Sequence, residues 1–244
     1  MWGAGVRAGA GGVVACTLPI MIITPDPTAP PGPATADDVL AAVRAALTVL
    51  AQAPADAATW QLPAHALDWT RWETIEHTAD GLLAYAAQLA PGTPPLDGYV
   101  PLRWQRDRPQ GPPNAIGVDP AAGAPGLLQV LEVAAVLLAA LLRTLPPQVR
   151  AFHAYGVADP GGFAAMGVVE ILAHTQDVAA AFGLVWEPPA DLCDRALTRL
   201  FPQAPTGTDR WATLLWATGR GELPGHPKVD FERWQSAPPA GAES

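Results

Sequence analysis

Glu170 and His174 stand four residues apart in the stretch GVVEILAHTQDVAAAFG (167–183), and Asp177 follows three residues later. In a helix, positions four apart differ by only ~40° in direction and by ~6 Å in height, so Glu170 and His174 project from one face. Phe163, Gly167, Asp177 and Ala181 extend that stripe, while Val168, Val169, Ile171, Leu172 and Ala173 cover the other directions. A helix that is apolar all round is a buried helix. A buried carboxylate is costly unless it is paired or bound to a cation. Two readings follow: Glu170 and His174 bond each other or solvent, or they hold a metal ion.

His77 shifts the balance toward the second reading. It lies in DWTRWETIEHTAD (68–80) with Thr70, Gly81 and Ala84 within about 40° of it by helical angle. Small neighbours leave room around the ring. A His from one helix and a Glu/His pair from another is how helical bundles build interior metal sites. His65 and His226 sit beside prolines in loops, and His153, in AFHAYG, has no partner at metal-ligand spacing. Asp177, one turn beyond His174, has two readings: an anchor for the free ring nitrogen of His174, or a solvated acid near a helix end. Arg103, Arg106 and Arg108, in a long loop, are candidates to receive carboxylates of a cosubstrate or substrate, or are simply solvated.

Other chemistries are excluded by what the chain lacks. Its two serines, Ser236 and Ser244, both lie in the C-terminal tail, and its single lysine is Lys228, which removes a serine nucleophile, a P-loop and Schiff-base chemistry. GAGVRA at residues 3–8 fits a dinucleotide fingerprint only in letters, since no strand precedes it. Cys193 shares an apolar stripe with Leu192 and Leu197 and reads as a packed thiol rather than a nucleophile. A net charge of −9 provides no electrostatic footprint for nucleic acid or an anionic membrane surface. Two cysteines exclude a disulfide scaffold and make the cytoplasm the expected compartment. VAAVLLAALL (133–142), bracketed by Glu132 and Arg143, reads as a core helix and not as a membrane span.

The elements that must position these residues are helices. Residues 1–34 read as a weakly ordered extension, ending within the proline-rich ITPDPTAPPGPATA (23–36), with Met21 a plausible alternative start. TADDVLAAVRAALTVLAQA (35–53) opens the first helix, with Thr35 as its cap and Asp37 and Asp38 in its first turn. A second begins near Asp68 and stops at Pro91-Gly92, and a long loop of Pro, Gly and Asn runs to Gly126; loops of that length are functional or mobile. The third is GLLQVLEVAAVLLAALLRTL (126–145), and the fourth follows Asp159-Pro160 and ends at Gly183. Two shorter helices, PADLCDRALTRLF (189–201) and TDRWATLLWATGR (208–220), come next, and 223–244 reads as a loose tail. No convincing strand pattern appears. The fold class is all-α, a four-helix bundle with additional C-terminal helices, spanning 35–222.

Three motifs carry a resemblance. DWTRWETIEHTAD resembles the W-T-x-x-(D/E)-x-(V/I)-x-H-x-A-D signature of the mycothiol-dependent maleylpyruvate isomerase N-terminal family, within the DinB-like superfamily, through Trp69, Thr70, Glu73, Ile75, His77, Ala79 and Asp80. VVEILAHTQDVAAAFG resembles that family's E-(V/I)-x-x-H-x-x-D helix, and WATLLWATGR its closing LL-x-x-x-x-GR helix. The resemblance implies a DinB-like four-helix bundle holding a divalent metal, usually zinc, on His77, Glu170 and His174. It also implies mycothiol, a low-molecular-weight thiol of actinobacteria, as cosubstrate and a small electrophile as substrate, with isomerisation or S-transfer as the reaction. Three protein ligands leave an open coordination position, where a bound thiol would lose its proton because the cation stabilises the thiolate over the thiol. Arg220, in the closing GR, and Asp177 are the expected catalytic residues, and Arg103 and Arg106 the expected cosubstrate-binding ones. The expected assembly is a monomer or homodimer. A second class stays open, a metal-binding DinB-like protein that binds a thiol conjugate or uses a structural metal without catalysis; a helical adaptor without metal is the third.

Overall fold

The structure, a computed structural model, describes residues 32–65, 67–229 and 234–239. The expected N-terminal extension lies outside the described residues except for its last three positions, of which Ala34 is already buried against the core. Local sequence decides where each helix begins. Helix α1 (Ala36–Leu50) starts after Thr35, whose backbone N–H donates to Asp38 Oδ2 at 2.8 Å. After a single turn, α2 (Ala57–Trp60), comes α3 (Arg71–Leu89), which begins three residues later than the Asp68 expected from sequence. The reason is a reciprocal cap: Thr70 N–H donates to Glu73 Oε2 at 2.8 Å, and Glu73 N–H donates to Thr70 Oγ1 at 3.0 Å. Helix α4 (Gly123–Leu142) follows a 3₁₀ turn at Pro120–Ala122. Helix α5 (Pro160–Phe182) is capped by Asp159, which accepts from Gly162 N–H at 2.7 Å, and ends at Gly183 with φ +70°, where glycine costs least. The shorter α6 (Ala190–Leu200) and α7 (Arg210–Ala217) complete the order.

Helices α1, α3, α4 and α5 form the bundle, with α3 packed on α4 and α5, and α1 closing against α4 and α5. Among the described residues no strand forms, only isolated bridges such as Gln105–Asn114 and Ala151–Ala158. Helix α5 is the central element: of its stripe, Phe163 is fully buried, and a Cβ on Gly167 would stand 3.1 Å from Leu138 and 3.2 Å from Leu82. The bare glycine therefore lets α5 approach α3 and α4 closely, one turn before the Glu170/His174 pair. Helix α4 is long and apolar enough to cross a membrane by length and composition alone. It packs in the bundle through Leu127, Leu131 and Leu138 and leaves Val133, Val136 and Leu137 facing outward.

The 91–122 connection, expected to be functional or mobile, is pinned along its length. Gln88 holds it through Val100 N–H (2.9 Å) and Gly98 O (3.1 Å), Arg108 Nε donates to Glu73 at 2.7 Å, and the buried carboxylates of Glu76 and Asp80 accept from Val118, Ala115 and Ile116 N–H at 2.7–3.0 Å. Burial pushes both the Glu76 and Asp80 carboxyls up, against these hydrogen bonds.

The tail differs from expectation. Trp234 and Ser236 are buried, because Arg199 of α6 gathers the chain by donating to the carbonyls of Gln235 (3.0 Å), Ser236 (2.7 Å) and Ala237 (3.2 Å), and Gln235 N–H donates to Leu200 O at 2.8 Å. Trp234→Ala is accordingly expected to lower the unfolding free energy by about 3 kcal/mol in denaturant titrations, in the range of buried aromatic truncations. A change below about 0.5 kcal/mol, as at an exposed site, would return this segment to a loose tail.

Candidate active site

One face of α5 and one face of α3 open onto a cavity of about 690 Å³ lined by His77, Tyr85, Glu170, His174, Asp177 and Arg220, and by residues of four loops. The stripe read from sequence is real: Glu170 Oε2 and His174 Nε2 are 3.2 Å apart, and His174 Nδ1 lies 3.0 Å from Asp177 Oδ2. Asp177, only 4% exposed, is not a solvated helix-end acid. It accepts from Arg220 Nε at 3.0 Å and Nη2 at 2.9 Å, so a continuous chain runs Arg220, Asp177, His174, Glu170. Tyr85, two turns along α3 from His77, extends it by donating its hydroxyl to Glu170 Oε1 at 3.3 Å.

His77 arrives from α3 with its ring centroid 5.9 Å from that of His174. Its Nδ1 is 2.9 Å from Asn114 Oδ1, an acceptor, so Nδ1 carries the proton and Nε2 is left for the cavity side. Trp69 packs across both imidazoles, 4.7 Å from His77 and 5.8 Å from His174 between ring centroids. Asn114 is held in place by the neighbouring amides of Ala115 and Ile116 bound to Asp80, which explains why a buried acid lies one turn beyond His77.

The electrostatics follow from burial and pairing. Burial pushes the Glu170 carboxyl up, but the His174 hydrogen bond and the nearby His174, His77 and Arg220 outweigh it and hold the group at about 2. Burial pushes His174 down, and its bonds to Asp177 and Glu170 more than reverse this, raising it above the ordinary histidine value. Asp177 is held below the usual carboxylate range, because His174 and Arg220 together overcome its burial.

The structure brings together part of the expected site. Among the described residues no three His, Cys, Asp or Glu side chains form a preformed metal group. Glu170 and His174 face each other directly, and His77 stands across from them. Arg103 and Arg106 are exposed and do not line the cavity; Arg106 donates to the Gly111 carbonyl. Arg108 is tied to Glu73 and to the Asp68 carbonyl. Arg220, by contrast, lines the cavity, with Nη1 donating to Thr218 O at 3.2 Å. Cys193 is buried outside the lining, its thiol pushed up to about 12 by burial, so it offers no nucleophile.

Tyr85, which lines the cavity, and Asn114, which backs His77 from outside the lining, were not singled out in the sequence. His153, set aside there for want of a partner at metal-ligand spacing, is buried at 7% exposure and lines the same cavity beside Tyr99, Tyr155 and Trp234. On the expectation that His77 is a metal ligand, Asn114→Ala should weaken zinc binding by about 10–100-fold in competition titrations. Unchanged affinity would show that His77 needs no partner on Nδ1.

The chain matches the family described as Mycothiol maleylpyruvate isomerase N-terminal domain over residues 40–179. Among solved structures, it is similar to the crystal structure of the mycothiol-dependent maleylpyruvate isomerase, at 15% identity and a TM-score of 0.50, covering 80% of this chain and 95% of that one. This likeness concerns the fold, the all-α bundle with its C-terminal additions. No curated protein sequence matches the chain significantly.

Proposed function

The chain belongs to the mycothiol maleylpyruvate isomerase N-terminal domain family, and on that premise we propose that it is a thiol-dependent isomerase or S-transferase acting on a small electrophile. One observation carries the reading: a single cavity holds both motif histidines, each with Nδ1 already engaged by a fixed oxygen, beside the half-buried carboxylate of Glu170. Two imidazoles and a carboxylate are a usual donor set for catalytic zinc, and carboxylate-backed histidine is the usual support of such ligands. The residues therefore fit a divalent cation, which His77, Glu170 and His174 would hold. Bound there, a cation favours the thiolate of the cosubstrate over its thiol.

The chain's own residues supply the rest. Asn114 and Asp177 fix the two rings, and Trp69 packs against both and keeps water from that flank. Arg220 is anchored on Asp177 and Thr218, which leaves two of its five N–H groups for a carboxylate of substrate or cosubstrate. Arg103 and Arg106, exposed in the 91–122 connection, would act only on parts of a cosubstrate that reach beyond the cavity. A reducing cytoplasm, where small thiols persist, is the compartment this chemistry requires. The direct test offers mycothiol and maleylpyruvate, with metal content measured in parallel. Thiol-dependent conversion that requires the metal is the expected result. The absence of thiol-dependent turnover with this and a panel of other conjugated electrophiles would end the reading.

A further inference from the structure

The aromatic side of the cavity holds a second histidine environment that neither the family motifs nor the Glu170/His174 chain accounts for. His153 sits in a tight turn between Ala151 and Ala158, which bond each other's backbone at 3.0 and 2.9 Å. The turn is braced from within: Gly156 N–H donates to His153 O at 3.0 Å, and Ala154 N–H donates to the Tyr99 hydroxyl at 3.1 Å. The ring is stacked on Trp234 at 5.9 Å and meets Tyr85 edge-on at 6.0 Å. Tyr85 in turn donates to Glu170, so His153 stands one aromatic ring away from the Glu170/His174 pair.

The tautomer of this ring is decided by its neighbours. The Tyr155 backbone N–H is 3.2 Å from His153 Nδ1, and a backbone amide can only donate. Nδ1 therefore offers its lone pair, and the proton of the neutral ring is on Nε2. Ser236 Oγ, 2.9 Å from the same nitrogen, must then donate as well, which gives the fully buried tail serine a purpose. Burial pushes the imidazolium down to about 4, so the ring is neutral at physiological pH. His153 lines both the main cavity and an adjoining hollow of about 370 Å³ shared with Tyr85, Tyr99 and Phe163.

We propose that His153 is a catalytic hydrogen-bond donor, a neutral imidazole whose Nε2–H binds the carbonyl oxygen of a conjugated keto-acid substrate and stabilises the enolate formed when a thiolate adds to its double bond. The proposal rests on the thiol-dependent reading above. In that reaction the sulfur electron pair forms a C–S bond to the alkene carbon β to the carbonyl, and the π pair moves onto the carbonyl oxygen. The former double bond, now single, rotates; the enolate pair then re-forms it in the trans geometry and expels the thiolate. Electrons balance with no oxidant, and His153 keeps its proton throughout. A neutral imidazole with a strongly lowered pKa can polarise a carbonyl in this way, and a fixed donor aimed at developing oxyanion charge is worth more inside a cavity than in water. A base role is excluded by the same geometry, because both donors on Nδ1 occupy its only lone pair.

The experiment joins a spectroscopic and a kinetic arm. Long-range ¹⁵N–¹H correlation spectra of the full-length protein, with the His153 signals assigned by difference against His153→Phe, should show a neutral ring protonated on Nε2 over roughly pH 6–8. A ring protonated on Nδ1, or an imidazolium, would overturn the proposal. With mycothiol and maleylpyruvate, His153→Phe keeps an aromatic ring in the box and should lose about 10²–10³-fold in kcat, with metal content and the KM for thiol unchanged. His153→Gln, which places an amide N–H near the Nε2 position, should recover at least about tenfold of that loss; a residue needed only for packing would not show this order. A kcat for His153→Phe within threefold of the parent, in an active parent, sinks this inference and leaves the functional reading standing. A parent without thiol-dependent turnover sinks both.

Discussion

His174→Ala is expected to remove metal binding and thiol-dependent turnover together. His174 is one of only three donors in the proposed set, and its Nε2 stands 3.2 Å from Glu170 Oε2, so its loss removes a ligand and also the partner of the second ligand. Metal affinity in such sites is coupled to the presence and protonation of every donor, and Cys193, the cysteine among the described residues, lies buried outside the cavity, so turnover depends on the cosubstrate thiolate. Activity should fall to the uncatalysed background. Stability should fall as well, because Glu170 keeps only the Tyr85 hydroxyl and the more distant charges of His77 and Arg220. Stranding a fully buried charge costs about 3–5 kcal/mol, and the loss here is smaller, because the Glu170 side chain is still 18% exposed. Glu170→Ala should lose activity equally but keep more stability, since it removes the stranded carboxylate itself. Cys193→Ala should leave turnover unchanged, because the thiol is buried away from the cavity and held protonated. Thiol consumption against maleylpyruvate, with metal quantified in each variant, decides the matter. Full activity in metal-free His174→Ala, or activity lost in Cys193→Ala alone, would place the reacting sulfur elsewhere.

The contrast between these residues and His153 shows which physics can be read from a linear chain. Glu170, His174 and Asp177 belong to one helix, where a fixed rise and rotation per residue turn spacing into direction, so their shared face is legible without a fold. The helix starts are legible for a similar reason: Thr35 with Asp38, Thr70 with Glu73, and Asp159 before Pro160 are local hydrogen-bonding devices. That His77 faces the same cavity is not a matter of spacing; the family signature, not periodicity, singled it out most sharply. Asn114 reaches His77 from 37 residues away, and Ser236 reaches His153 from 83 residues away. Both sit in segments whose course is set by long-range hydrogen bonds from Asp80, Glu76 and Arg199. A proline-rich composition announces the absence of regular structure there. It does not say whether the chain is loose, and in the tail it led to the wrong expectation.

Asp177→Ala tests the same site from its outer side, and it is expected to cost both stability and metal. Asp177, with its side chain 5% exposed, is the shared acceptor of two cationic or cation-capable groups: Arg220 through Nε and Nη2, at 3.0 and 2.9 Å, and His174 through Nδ1 at 3.0 Å. Removing it leaves the Arg220 guanidinium, whose side chain is 19% exposed, without its counter-charge and frees the His174 ring to turn. Breaking a largely buried pair by deleting one partner costs about 3–5 kcal/mol, discounted here by the part of Arg220 that solvent still reaches. Losing the carboxylate behind a ligand histidine typically weakens metal binding by about 10–100-fold. Asp177→Asn separates the two effects. Its amide keeps the volume and one acceptor oxygen, so it should retain more stability than Asp177→Ala. Its oxygen can still accept from His174 Nδ1 in the Oδ2 position, while its NH₂ meets Arg220 Nε and the carboxylate charge is lost, so the zinc affinity should fall by a smaller factor than in Asp177→Ala. Guanidinium chloride unfolding gives the first quantity and zinc competition titration the second. A stability loss under about 1 kcal/mol, the range of an exposed ion pair, together with unchanged zinc affinity, would show that the buried chain from Arg220 to His174 has no part in holding the site.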